Sequence, residues 1–224
     1  GSEMCIRDSI SVISSNDVSA YDVIQNLFPD KNKDFVFNIT ENDIVLVKEV
    51  KNNIDVRDLE KLARSISDTL SSEFFTKVNV GIGTPVVGVK DLARSFKEAQ
   101  TALEVGKVFD TDKNIVSYDN LGIARLIYHL PTTLCETFLK EVFKKNSIES
   151  LDHETLFTIQ KFFENSLNVS ETSRKLFVHR NTLVYRLDKI KKLTGLDLRE
   201  FDHAIIFKIA LMVKKYLAAN PTKF

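Results

Sequence analysis

His179, Arg180, Asn181 and Thr182 follow one another near the C-terminal end of this 224-residue chain, and together they form a set of side chains able to read base edges. Arginine pairs bidentately with guanine, asparagine pairs with adenine, and threonine donates to a base or sets its methyl beside thymine. Tyr185 and Arg186 come one turn later and offer donors for phosphates or a further base edge. Such residues read a duplex only when something rigid presents them, and the flanking pattern supplies it. Residues 168–195 read as a helix, a tight turn and a second helix. Ser170 is the expected N-cap of the first helix, ahead of Glu171, Thr172 and Ser173, with Leu176 and Phe177 closing it. After a short break, Leu183, Leu187, Ile190 and Leu193 recur at spacings of four, three and three, which is one apolar stripe of an α-helix. Opposite that stripe lie Asn181, Tyr185, Asp188 and Lys192. Thr182, Arg186 and Lys189 occupy one flank and Lys191 the other. A short helix bracing a second one that enters the major groove by its N-terminal turn is the helix-turn-helix arrangement.

Charge points the same way. The whole chain has no net charge, yet residues 168–195 hold seven basic and two acidic side chains, a net +5, leaving −5 for the remainder. A concentrated cationic patch of this kind attracts phosphate, the main source of sequence-independent DNA affinity. A solvated helical hairpin would explain the charge alone. It would not explain the basic clustering, the short turn and the base-reading N-terminus together. Asp188 would repel phosphate on the outward face, and Lys191 and Lys192 are the expected neutralising neighbours.

The run Leu176-Phe177-Val178-His179-Arg180-Asn181-Thr182-Leu183-Val184-Tyr185-Arg186-Leu187, with Ile190 and Leu193-Thr194-Gly195 after it, resembles the C-terminal helix-turn-helix of the PucR/CdaR family of bacterial transcription regulators. Leu196-Asp197-Leu198, Asp202 and the apolar stretch through Leu211 also fit. That helix-turn-helix is similar in kind to the Fis type, so the resemblance implies DNA contacts from His179, Arg180, Thr182 and Tyr185. Wheel geometry adds Asn181, and the cationic flank and outer face add Arg186, Lys189 and Lys192.

The upstream half has a different rhythm. Ile10, Val12 and Ile13 suggest a strand, residues 21–28 a helix ended by Pro29, and residues 35–39 a second strand. Thr40-Glu41-Asn42-Asp43 supplies turn chemistry before the apolar run 44–50, which makes the pair a hairpin. Asp55 or Asp58 starts a helix with Leu59, Leu62, Ile66 and Leu70 on one side. Residues 78–83 alternate as a strand. Asp91 opens a helix faced by Leu92, Phe96, Ala99 and Leu103, and Ile115 and Val116 form a last short strand. The order strand, helix, strand, strand, helix, strand is that of a ferredoxin-like split βαβ unit, with antiparallel strands and helices expected on one face. Val80-Gly81-Ile82-Gly83, Ala93-Arg94-Ser95-Phe96, Glu98-Ala99 and Ala102-Leu103 resemble the GGDEF-like middle domain of the same regulators. The fold class is therefore α+β: a ferredoxin-like, degenerate GGDEF-like domain over 10–118, a helical connector over 119–150 and an all-α helix-turn-helix domain over 151–219.

True GGDEF proteins are diguanylate cyclases, so a nucleotide-binding or cyclase-like activity is the alternative. The residues depart from it. The hairpin carries Thr40-Glu41-Asn42-Asp43 with no glycine pair, and Asp17 is the one further carboxylate at the first strand's end. Two-metal phosphoryl chemistry needs carboxylates converging on magnesium beside a phosphate cradle. Gly81-Ile82-Gly83 is too short for a dinucleotide or P-loop fingerprint and reads as a strand end. His129, His153, His179 and His203 stand far apart with no Cys or Glu at ligand spacing, so no metal site is expected. Cys135 has no identifiable base partner and reads as a small buried apolar residue. No Gly-x-Ser-x-Gly elbow occurs. We expect no cofactor and no catalysis.

Composition sets the outer limits. Hydrophobic content of 43% and charged content of 28% are those of an ordinary globular chain. No apolar run approaches the roughly 18 to 20 residues of a membrane helix. The first residues show no basic region followed by an apolar core, Gly1-Ser2 reads as a cloning scar, and the widely separated Cys5 and Cys135 suit a reducing cytoplasm. Residues 152–165 are expected to pack beneath the DNA-reading pair. Residues 199–219 carry too many apolar positions for one narrow stripe, so that helix is either a core element or shared with a second subunit. The partners expected are double-stranded DNA and a second copy of the chain on an inverted-repeat site. The resemblance further implies an N-terminal sensory domain for a small-molecule effector, which this chain is expected to lack.

Overall fold

The computed structural model describes residues 7–15, 20–51, 53–109, 112–143 and 151–220, and for 7–10 the backbone alone. The chain divides into two compact units, Gly1–Tyr128 and His129–Phe224. That boundary falls within the stretch 119–150 expected as a connector.

In the first unit the elements run β1 (Arg7–Ser15), α1 (Ala20–Leu27), β2 (Asp34–Asn38), β3 (Asp43–Val50), α2 (Val56–Phe74), β4 (Val78–Ile82), α3 (Leu92–Phe109), β5 (Ile115–Ser117) and α4 (Ile123–Tyr128). The sheet order is β2-β3-β1-β4-β5. β1 lies antiparallel between β3 and β4, with Val12 opposite both Val45 and Gly81, and β2 pairs antiparallel with β3. Thus β1 and β2 run parallel with β3 between them, which is the split βαβ arrangement. β5 adds a parallel edge strand beside β4. Of the two acids expected to open α2, Asp55 is the cap: its carboxylate accepts the Arg57 amide.

The helices do not stay on one face, as the sequence order had suggested. α1 and α2 cover Ile13, Ile44, Leu46, Val78, Val80 and Ile82, while Ala99 and Leu103 of α3 pack against Val12, Val45 and Val47 on the reverse face. The reason lies in β3, whose unbroken apolar run Ile44-Val45-Leu46-Val47 offers both faces for burial.

β4 meets α3 without room for side chains between them. A Cβ on Gly81 would stand 2.1 Å from the carbonyl oxygen of Ala99, and one on Gly83 2.1 Å from that of Ser95. These glycines therefore serve helix-on-strand packing. Gly81→Ala should lower the unfolding free energy of this unit by about 1–3 kcal/mol through overpacking. Urea titration followed by far-UV circular dichroism measures it, and an unchanged midpoint would show that α3 retreats freely.

Among the described residues the regular elements of the second unit are all helices: α5 (Thr132–Val142), α6 (His153–Glu164), α7 (Val169–Lys175), α8 (Arg180–Thr194) and α9 (Phe201–Ala219). Its core joins Phe143, Ile159, Phe162, Leu183, Leu187, Ile190, Leu198 and Phe207. The Phe143 and Phe207 rings meet edge to face with centroids 5.7 Å apart. α9 buries Ala204, Phe207, Ala210, Val213 and Tyr216 but leaves Phe201 70% exposed, so it is a core helix with one apolar edge uncovered. Cys135 is buried in α5, and burial pushes its thiol above the ordinary range. Among the described residues no helix is long and apolar enough to cross a membrane.

Candidate nucleic-acid interface

α7 begins earlier than the sequence suggested. Asn168, not Ser170, is the N-cap, its side-chain oxygen accepting the Glu171 amide at 3.0 Å. The signal was present, because Asn168 stands three residues before Glu171, the spacing of a capping box. α7 stops at Lys175, two residues short of the end expected at Leu176-Phe177. The amide of Phe177 donates to Arg174 and that of Val178 to Ser173, the paired bonds of a Schellman motif. Phe177 occupies the left-handed position of that motif, with φ at 54°.

α8 follows after Val178 and His179. Its N-cap is His179, an exposed residue whose Nδ1 accepts the Asn181 amide at 3.2 Å, leaving Nε2 as the ring's other polar atom. At the far end Gly195, at φ 78°, donates its amide to Lys191 and stops the helix. Leu183, Leu187 and Ile190 are wholly buried. Opposite them His179, Arg180, Asn181 and Thr182 are exposed, as is Tyr185 at 70%. The structure thus brings the N-terminal turn of α8 and Tyr185 onto one solvent-facing surface.

The cations behave less uniformly. Arg186 is only 25% exposed and turns toward α6, where Nη1 donates to the buried Thr158 hydroxyl at 3.1 Å and Nη2 pairs with Glu154. Its guanidinium is committed within the protein, so the outward flank position read for it is corrected. Lys189 reaches Asp152 at 3.4 Å, with both side chains about half exposed, a pair weak enough to exchange for phosphate. Asp152 is also the N-cap of α6, and hydrogen bonds from Thr155 hold its carboxyl below the usual range. Lys191 pairs with Asp197 at 3.0 Å, and Arg174 with Glu171. Among the described residues Lys175, Arg180 and Lys192 carry no ion pair.

Asp188 is neutralised, but not by Lys191 or Lys192. Arg199 does it, donating to Asp188 at 2.7 Å and through Nε to Asp197 at 2.8 Å. This network ties α8 to the turn that leads into α9. Arg199 hydrogen bonds, then Lys191, hold the buried Asp197 carboxyl far below the usual carboxylate range, and Asp197 in turn raises Arg199. Because the folded value lies below the unfolded one near 4, the contribution is complete above about pH 4 and fades as pH falls through the folded value. The second unit should therefore lose stability on acidification below about pH 4, and Asp197→Asn should reduce that dependence. Urea midpoints measured from pH 2 to 7 decide it. Parallel wild-type and variant curves would count against this account. Sequence reasoning gave Arg199, Glu154 and Asp152 no role, since their partners lie 11, 32 and 37 residues away.

In the first unit the hairpin at 39–43 is closed by Thr40, whose Oγ1 accepts the amide of Asp43 at 3.0 Å and donates to its carboxylate. Asp17, the other carboxylate considered there, lies outside the described residues. Among the described residues no three His, Cys, Asp or Glu side chains converge.

Comparison with known proteins matches a domain in each half of the chain. Residues 155–213 match the PucR C-terminal helix-turn-helix domain, and residues 9–105 match a GGDEF-like domain. The chain is 27% identical over 190 residues to the carbohydrate diacid regulator of Escherichia coli (strain K12), covering 83% of this chain and 49% of that protein. It is 26% identical over 150 residues to the purine catabolism regulatory protein of Bacillus subtilis (strain 168), covering 66% and 28%. A third relative, the DNA-binding transcriptional activator AdeR of Bacillus subtilis (strain 168), is 26% identical over 185 residues, covering 79% and 42%. The chain spans less than half the length of each. With a GGDEF-like domain followed by a PucR C-terminal helix-turn-helix domain, the chain has the domain content of the PucR/CdaR-type regulators to which it is similar.

Proposed function

We propose that this chain binds operator DNA sequence-specifically, as a homodimer in the cytoplasm, by placing the N-terminal turn of α8 in the major groove. The observation that carries the proposal is the two-sidedness of α8. Leu183, Leu187 and Ile190 anchor it in the core, while Arg180, Asn181, Thr182 and Tyr185 are exposed to solvent. His179 both caps the helix and joins the reading surface through Nε2. Lys189 and Lys192 supply phosphate contacts, and Arg186 sets the pose of α8 against α6. The exposed edge of α9 at Phe201 and Ile205 supports a second copy as partner. Two recognition helices would then meet half-sites about one helical turn apart.

Catalysis has no part in this reading. The Thr40–Asp43 turn is tied by its own hydrogen bonds, and its sequence lacks the glycine pair that lets a nucleotide approach. We place the response to a small-molecule effector in sequence outside the two matched domains. The test is selection of bound duplexes from a random pool by the full chain, with sedimentation analysis of the free and bound protein. Enrichment of an inverted repeat bound by a dimer is expected. Uniform recovery of all sequences, or a monomer on an unrepeated site, would overturn the corresponding half of the proposal.

A further inference from the structure

Phe177 is placed against every local preference. It is 96% exposed, so its ring gains nothing from the protein's own packing. Its backbone sits at φ 54°, the left-handed position of a Schellman motif, where glycine is favoured because a Cβ is strained. Neither conformation nor burial selects a phenylalanine here. Conformation alone is not decisive, since Phe75 at the end of α2 combines φ 55° with 91% exposure. What distinguishes Phe177 is its surroundings. It lies two residues before the N-cap of α8, which places its Cα within about 7 Å of that of His179. Lys175 and Arg180 flank it, both exposed and both without an ion pair among the described residues.

An apolar ring between free cations fits a polyanion that also displays apolar groups. A duplex does so through its phosphates and the thymine 5-methyl groups that line the major groove. A second copy of this chain fits poorly, because a symmetric contact would oppose like charges on both sides of the ring.

Resting on the DNA-binding reading above, we propose that Phe177 is a further specificity-determining residue that packs on a thymine methyl, extending the reading surface of α8 upstream into the turn. The strain of the left-handed phenylalanine is then offset only when the duplex is bound.

The test uses the full chain and a duplex selected from a random pool, with affinity read by fluorescence anisotropy and stability by urea titration. Phe177→Gly should bind about ten-fold more weakly, with an unfolding midpoint equal to or above that of the wild type. Replacing thymine by uracil at one position of the site should weaken the wild type about four-fold and leave Phe177→Gly unchanged. Arg180→Ala, run alongside, separates the two levels of the argument. If Arg180→Ala loses affinity and Phe177→Gly does not, this proposal fails and the DNA-binding reading stands. If neither loses affinity, the reading itself fails. Weaker binding by Phe177→Gly with no uracil-sensitive position overturns the thymine assignment. A change of oligomeric state in Phe177→Gly without DNA makes the ring a protein contact and overturns the proposal.

Discussion

Arg180→Ala is expected to lower affinity for a selected duplex by about 1–3 kcal/mol and to relax base preference at one position of each half-site. The structure makes this substitution clean. Arg180 is the first residue of α8, is exposed, and carries no ion pair among the described residues, so its removal leaves the fold untouched. Its guanidinium already stands in solvent and forms a fork suited to a guanine edge. Lys192→Ala is the natural contrast. A phosphate contact carries no sequence information, so its loss should weaken all sequences evenly and reduce the salt slope by about one. Arg186→Ala should differ from both, lowering the urea midpoint because the buried Thr158 hydroxyl loses a donor, keeping its bond to the Glu154 carbonyl, and Glu154 of α6 loses its ion pair. Equal affinity of wild type and Arg180→Ala across a panel of single-base variants would remove base reading from the N-terminal turn of α8.

The largest effect on stability is expected from Phe207→Ala. Phe207 is wholly buried at the centre of the helical unit, edge to face with Phe143 and in one cluster with Leu183, Leu187 and Ile190. Truncating such a ring costs about 3–5 kcal/mol, from lost burial and from the cavity left behind. A domain of this size has only about 5–15 kcal/mol to lose. The helical unit should therefore unfold at much lower denaturant than the sheet-bearing unit, splitting the circular dichroism transition in two and abolishing DNA binding. The chain contains no tryptophan, so far-UV circular dichroism is the suitable probe. A single transition with an unshifted midpoint would show that the Phe207 site collapses without penalty.

The contrast between these residues shows how much was legible in advance. Arg180, Asn181, Thr182 and Tyr185 could be placed from the sequence because their orientation follows from a stripe on the same helix. Leu183, Leu187 and Ile190 turn inward, and the 3.6-residue period carries the others outward. The same argument misplaced Arg186, since a wheel position on the flank does not reveal that Glu154 and Thr158 wait there. It also placed Asp188 against the wrong cations, because Arg199 arrives from beyond the helix. The N-cap of α7 was a different kind of miss. Both Asn168 and Ser170 are good caps, and the capping-box spacing to Glu171 favoured the first.

By itself the sequence determined the order of the elements, the apolar stripes of α2, α3 and α8, the hairpin at 39–43 and the solvent-facing residues at the start of α8. Each of these rests on interactions between positions a few residues apart. Only the tertiary structure decided that α3 closes the second face of the sheet over Gly81 and Gly83, and which cations are committed within the protein. It also decided that Phe177 stands bare beside the reading turn. Those outcomes depend on what lies opposite in space, and chain separation of tens of residues hides such partners from any periodicity.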